Sequence, residues 1–254
     1  MIRNIKKNDL LAIGWDVGGW MGNNHGFSII HWDYENKDFN WLGEAVELRI
    51  PADSTFSLDY IIEKVTKRDD VDLFDYNIVI GVDAPLRFPK KFKEFINGSN
   101  QEFTRPEKEI YNRLAYRKTD VHIYETLGKK PLSAVFDRLG TNCTAAIVHI
   151  NKWMEEYDFS LQPIVDKENN RDIIEVYPAL LKTSKYSAAD EPFKTMLPDS
   201  ISAGTDAYDA ALCAIMALAY GAADAFKELP NLVQPKQIDE DIKEEGWIYY
   251  FPLD

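Results

Sequence analysis

Apolar residues fall along this chain in distinct runs, divided by polar turns. Leu10 to Val17 is a continuous apolar run that stops at glycines, the pattern of a buried strand. The loop Gly18-Gly19-Trp20-Met21-Gly22-Asn23-Asn24-His25-Gly26 is rich in turn formers and hairpin-like. Phe27 to Tyr34 and Asn40 to Ile50 read as two further strands across the polar turn Glu35-Asn36-Lys37-Asp38, so an antiparallel meander of three strands is predicted. Ser57 to Arg68 carries Leu58, Ile61, Ile62 and Val65 at helical spacing, with Ser57 as the N-cap. Tyr76 to Val82 is a continuous apolar strand ending at Asp83, and the helix before it favours a parallel crossover into the same sheet. Ala84 precedes a proline and is biased to an extended conformation, so the strand should finish there.

The second half is less regular. Pro89 to Gly140 is charged, with aromatics interspersed and no strand pattern, and reads as short helices and loops inserted into the domain. Asn142 to Tyr157 is a helix with Ala145, Ala146, Val148, Ile150, Trp153 and Met154 as its apolar positions and Thr141 or Asn142 as its cap. Asp172 to Tyr177 is a short strand halted by Pro178, and Asp206 to Phe226 a helix apolar on nearly all sides, hence buried against the sheet. The acidic stretch Asp239 to Glu245 reads as a solvated segment, and the aromatic tail Gly246 to Pro252 as a piece that packs back on the body. The expectation is a single α/β domain over 1–254 with a helical insertion at 89–140. Its mixed five-stranded sheet would be a three-strand antiparallel meander followed by parallel strands, flanked by helices. This order of elements is that of the RNase H-like fold.

Charge and cysteine content narrow the function. A net charge of -13 and a pI near 4.8 argue against adhesion to an anionic membrane or to nucleic acid through a basic surface. They leave room for a nucleic-acid enzyme whose acidic site is neutralised by metal ions. Cys143 and Cys213 both lie in apolar helical stretches and read as buried free thiols; with no Cys-x-x-Cys or Cys/His cluster, a structural zinc site is not expected. Residues Met1 to Asp9 lack the apolar core of a signal peptide, and Ala210 to Ala223 is too short and alanine-rich to span a membrane. A cytoplasmic protein is expected.

Against this background the acids stand out. Asp16 ends the first apolar strand and Asp83 the fourth, while Asp206 and Asp209 open the long apolar helix. Each alone has an ordinary reading, as a turn cap or as a helix N-terminal charge. Together they differ, because an acid is costly to bury without a cation or a hydrogen-bond partner. In the predicted sheet the first and fourth strands are neighbours, so Asp16 and Asp83 approach one another. Asp206 and Asp209, three apart, share a helix face. Four such oxygen donors suit Mg²⁺ or Mn²⁺. Glu175, on a predicted inner strand, is a further ligand or an acceptor behind one. Arg117 could orient a phosphate, with Asp120, or the two could form a surface pair. Arg113, Lys182 and Lys185 are either anion contacts or solvated charge. His25 is a candidate for proton transfer, or an incidental loop histidine. Trp15 and Trp20 either stack on a base, or pack in the core or anchor the loop.

Several of these pieces occur as a series: Gly14-Trp15-Asp16-Val17-Gly18-Gly19, Gly81-Val82-Asp83-Ala84-Pro85-Leu86, Arg117-Lys118-Thr119-Asp120, Glu175-Val176-Tyr177-Pro178, Asp206-Ala207-Tyr208-Asp209-Ala210, and the tail Gly246-Trp247-Ile248-Tyr249. The series resembles, over nearly the whole chain, the domain of unknown function family 429, regarded as predicted nucleases of RNase H-like fold. The Asp-x-x-Asp helix is also similar to that of Holliday-junction resolvases. The resemblance implies a metal-dependent nuclease acting on DNA or RNA, in which Asp16, Asp83 and Asp209 hold the ions and Asp206 or Glu175 completes the shell. Two alternatives come from other classes. A phosphotransferase of the actin and sugar-kinase type would use Asp16-Val17-Gly18-Gly19 to cradle phosphate, but a second copy of the fold and a second glycine-rich loop are missing from the sequence. A non-catalytic binding module would present its acidic surface to a basic protein.

Overall fold

Along Leu10–Asp16 (β1), side chains alternate between two cores: Leu10 and Ala12 enter one, and Leu11, Ile13 and Trp15 the other. That alternation organises the protein, a computed structural model of which describes residues 9–21, 24–52, 54–99, 102–137, 139–164, 170–182 and 192–252. His25–Asp33 (β2) runs antiparallel to β1 and carries Asp38–Trp41 (β3) and Val46–Leu48 (β4) on its other edge. Leu58–Thr66 (α1) then crosses to Asn77–Asp83 (β5), parallel to β1. Ser57 caps α1, its hydroxyl accepting from the Tyr60 N–H at 3.2 Å.

Next come Lys90–Ile96 (α2), Lys118–Leu127 (α3) and Gly140–Tyr157 (α4). Ser160–Leu161 (β6) and Arg171–Val176 (β7) follow, β7 lying parallel to β5. Pro192–Met196 (α5), Asp206–Gly221 (α6), Glu240–Glu245 (α7) and Ile248–Tyr249 (β8) complete the chain. The result is a mixed α/β structure whose sheet has the order β3-β2-β1-β5-β7-β6, with β4 on β2 and β8 on β7.

The sheet separates two apolar cores. On one face Leu58, Ile61, Ile62 and Val65 of α1 and Ala145, Ala146, Ile150 and Trp153 of α4 pack with Ile13, Ile29, Ile78 and Ile80. On the other, α6 packs with Ala12, Ile30, Val79 and Ile174, and its residues Ala210 to Ala219 are all buried. Each fully buried Leu or Ile of such a helix contributes about 1.5–3 kcal/mol, which holds α6 on the sheet despite its modest length. Among the described residues no helix is long and apolar enough to cross a membrane.

Four sequence expectations are corrected. Among the described residues the sheet has eight strands rather than five. Asn40 to Ile50 is broken by a turn at Gly43 (φ 71°) into β3 and β4, and the two-residue strands β6 and β8 are too short to leave a periodic signal. Neither Thr141 nor Asn142 caps α4, because both lie within its first turn and reach the loop after β1. There the Thr141 hydroxyl accepts from the Trp20 N–H at 3.1 Å, and the Asn142 amide donates to the Val17 carbonyl. In α4 the core position belongs to His149, fully buried, while Val148 is exposed. The acidic stretch before the tail is not simply solvated: it forms α7, which buries Ile242 and Glu245. The aromatic tail does pack back, with Trp247, Tyr249, Tyr250 and Phe251 buried.

Candidate active site

Asp16 and Asp83 are register partners at the C-terminal ends of the adjacent parallel strands β1 and β5. Strand alternation turns both toward the face covered by α6, since each lies two residues beyond a glycine on that face. Those glycines let the helix in. A Cβ on Gly14 would stand 1.9 Å from the Ala210 carbonyl oxygen, and one on Gly81 2.6 Å from that of Cys213. The backbone of α6 therefore rests directly on β1 and β5, and its first turn is delivered to the ends of those strands. Thr205 starts the helix, its hydroxyl accepting from the Tyr208 N–H at 3.2 Å, so the chain turns at the site itself.

The acids repel one another. Burial pushes the Asp16 carboxyl up to about 7, and the charges of Asp209 and Asp206 add to the effect. Asp83 is raised well above the usual carboxylate range, by burial first and then by Asp16 and Asp209. The charge of Asp206 bears on Asp16 and His25, and its carbonyl lies against Gly26 of β2, so it stands on the β2 side of the group. The counterweight is Lys182. Its ammonium donates to Asp209 Oδ2 at 2.6 Å and also contacts Oδ1, and its charge opposes the shifts at Asp16 and Asp83.

Arg117, Asp120 and Glu175 form a second, buried set beside the aspartates. All five N–H donors of Arg117 are used: two on Asp120 at 3.1 and 2.9 Å, two on Glu175 at 2.6 Å each, and one on the Glu245 carbonyl at 3.4 Å. The Asp120 carboxylate also accepts the Arg117 backbone N–H at 2.8 Å, which closes the first turn of α3. The pairing of Glu175 with Val82 places it on the sheet face opposite Asp83, where it accepts the Leu86 N–H at 3.0 Å. Burial lowers the affinity of the guanidinium for its proton, but the two carboxylates outweigh this and raise Arg117 well above its ordinary value. Arg117 and Asp120 are therefore not a surface pair, and the carboxylate of Glu175 is engaged by Arg117 and the Leu86 N–H. The set instead braces Ala84-Pro85-Leu86, the loop that leaves Asp83. A cavity of about 260 Å³ at the sheet's C-terminal edge is lined by Asp16, Asp83, Arg117, Asp120, Glu175 and Tyr177, among others.

The remaining candidates find structural places. His25 is the first residue of β2 and fully buried. The Trp15 indole donates to its Nδ1 at 3.1 Å, so the ring hydrogen sits on Nε2, 2.9 Å from the Gly19 carbonyl. Both nitrogens are occupied, and burial lowers its pKa, which leaves His25 neutral and unsuited to proton transfer. Trp15 is a core residue stacked on Phe27, while Trp20, part-exposed, pins the loop to α4 through Thr144 at 3.0 Å. Arg113 is paired with Glu245 at 3.0 Å, and Lys185 lies outside the described residues. Cys143 and Cys213 are free and buried, and burial pushes the Cys143 thiol up to about 12. Neither sequence reading of Lys182, anion contact or solvated charge, anticipated this pairing, since nothing local marks a lysine after a turn as the partner of an acid 27 residues on.

Comparison with family models, with curated proteins and with solved structures returns no match. The chemistry of the site must then speak through its donors. Asp16, Asp83 and Asp209 offer only oxygen, the donor type that Mg²⁺ and Mn²⁺ prefer, and their mutual repulsion is relieved by a cation. In kind, the set fits such an ion. Among the described residues no three acidic, imidazole or thiol side chains are grouped so as to hold a metal ion as they stand. Lys182 holds Asp209 in that arrangement.

Proposed function

We propose that this chain is a metal-dependent nuclease of RNase H-like fold that hydrolyses phosphodiester bonds of DNA or RNA, as its resemblance to the domain of unknown function family 429 implies. One observation carries the proposal: the register pairing of Asp16 with Asp83, beneath a helix whose first turn bears Asp209. In this reading Asp16, Asp83 and Asp209 hold Mg²⁺ or Mn²⁺. Asp206, on the same helix face and close enough for its charge to act on Asp16, completes the shell. A bound divalent ion supplies activation of water and neutralisation of charge on the leaving oxygen. The chain's own part is positional. Gly14 and Gly81 seat α6 so that Asp209 faces the strand ends, and the Arg117–Glu175–Leu86 contacts hold the loop beyond Asp83. Metal at the site also answers the charge problem, because a phosphate approaching a chain of net charge -13 needs local neutralisation.

The test is hydrolysis of structured DNA and RNA with Mn²⁺ by the wild type beside Asp83→Asn, with folding of both confirmed. Activity in the wild type and its loss in the variant are expected; full activity in Asp83→Asn removes the proposal.

A further inference from the structure

Resting on that reading of the site, we propose that Lys182 is a built-in counter-ion which a divalent cation must displace from Asp209, so that the lysine sets how readily the site takes up metal. The lysine follows the turn Pro178–Leu180 that leaves β7, and its side chain reaches across to the first turn of α6. There its ammonium meets both carboxylate oxygens of Asp209, with hydrogen-bond geometry at Oδ2, and lies 5.8 Å from the centre of the Tyr208 ring.

Three features make this an exchangeable cation rather than a permanent brace. The lysine side chain is 39% exposed against 22% for Asp209, so the ammonium leaves for water at little cost. The ammonium is a point charge with rotatable donors on a flexible stem, unlike the planar fork of Arg117, all of whose donors are fixed. Finally, the lysine's single charge is in contact with Asp209 alone of the three carboxylates, whereas a doubly charged ion taken up as Asp16 and Asp83 release their protons would bring all three closer to charge balance. The same carboxylate oxygens cannot hold both the lysine and a metal at full strength. Uptake of one therefore opposes the other, and the lysine keeps Asp209 oriented until the exchange.

The experiment is calorimetric titration of Mn²⁺ into chelator-treated wild type, Lys182→Met, Lys182→Gln and Lys182→Arg, each checked for cooperative unfolding. Loss of the competitor should tighten Mn²⁺ binding about fivefold in the two neutral variants, the size of a part-exposed ion pair, and leave Lys182→Arg near the wild type. Unchanged or weaker binding in both neutral variants, or equal tightening in Lys182→Arg, overturns the inference. If Asp83→Asn abolishes wild-type binding while the Lys182 variants match the wild type, the metal site stands and only the role of Lys182 falls. If no variant and no wild type binds Mn²⁺, both fall.

Discussion

Asp16 and Asp83 sit side by side, register partners on two parallel strands, and neither strand carries a residue of opposite charge. Two carboxylates so placed destabilise the metal-free protein as they ionise, and the direction of that effect can be worked out. Because burial and then the charges of Asp209 and Asp206 raise Asp16 to about 7 in the folded state from 3.8, the folded chain binds more protons than the unfolded one between those values. The stability contributed by protonated Asp16 is thus complete below about 3.8 and lost as pH rises through about 7; Asp83 shifts in the same direction. In chelator at pH 8, Asp16→Asn is expected to be more stable than the wild type by about 1–3 kcal/mol in urea unfolding. Equal stability of the two at pH 8 would contradict the repulsion.

The close seat of α6 gives a packing test. Gly14→Ala puts a methyl 1.9 Å from the Ala210 carbonyl, where backbone must move, so a loss of about 3 kcal/mol or more is expected. Gly140→Ala, whose Cβ meets nothing nearer than 3.6 Å, should cost less than about 1 kcal/mol. Denaturant midpoints of the two variants compare them directly.

Removing Arg117 leaves two buried carboxylates without their partner. Arg117→Met should destabilise by about 3–5 kcal/mol, whereas the double replacement Arg117→Met with Glu175→Gln should recover part of the loss. Independent, additive losses in this cycle would show that the pair is not coupled.

His149 behaves as a buried base. Its Nδ1–H donates to the Ala145 carbonyl at 2.7 Å, while Nε2 has no partner among Trp15, Phe56 and Trp153. Burial depresses its pKa from 6.5 to about 4, so its contribution to stability is present above 6.5 and lost as pH falls toward about 4. His149→Phe should unfold with a shallower loss of stability across that window than the wild type. An unchanged slope would place the protonation elsewhere.

The parts of this arrangement that were readable from sequence are those with a local cause. Apolar runs that end at Asp16 and Asp83, and a capped apolar helix that opens with Asp206, declare themselves in a few residues each. Glycine two places before each strand acid was a further local signal, and its meaning appears only once a helix backbone is seen against it. What was not readable depends on distant partners. That Glu175 and Arg117, 58 residues apart, form a buried pair with each other was not legible in either residue's own neighbourhood. Glu245 looked like solvated charge, yet it is fully buried because it accepts from the backbone N–H groups of Lys90 and Lys118 and from the Arg113 side chain. Charge patterns alone do not distinguish a solvated acid from one whose donors arrive from elsewhere in the chain.

The most direct test of the metal site is a Mn²⁺ titration of the wild type and Asp83→Asn by calorimetry, both shown to be folded. The expected result is saturable binding at about millimolar affinity or tighter in the wild type, lost in Asp83→Asn. Equal binding by both proteins, or none in the wild type, would contradict the assignment of Asp16, Asp83 and Asp209 as one cation site.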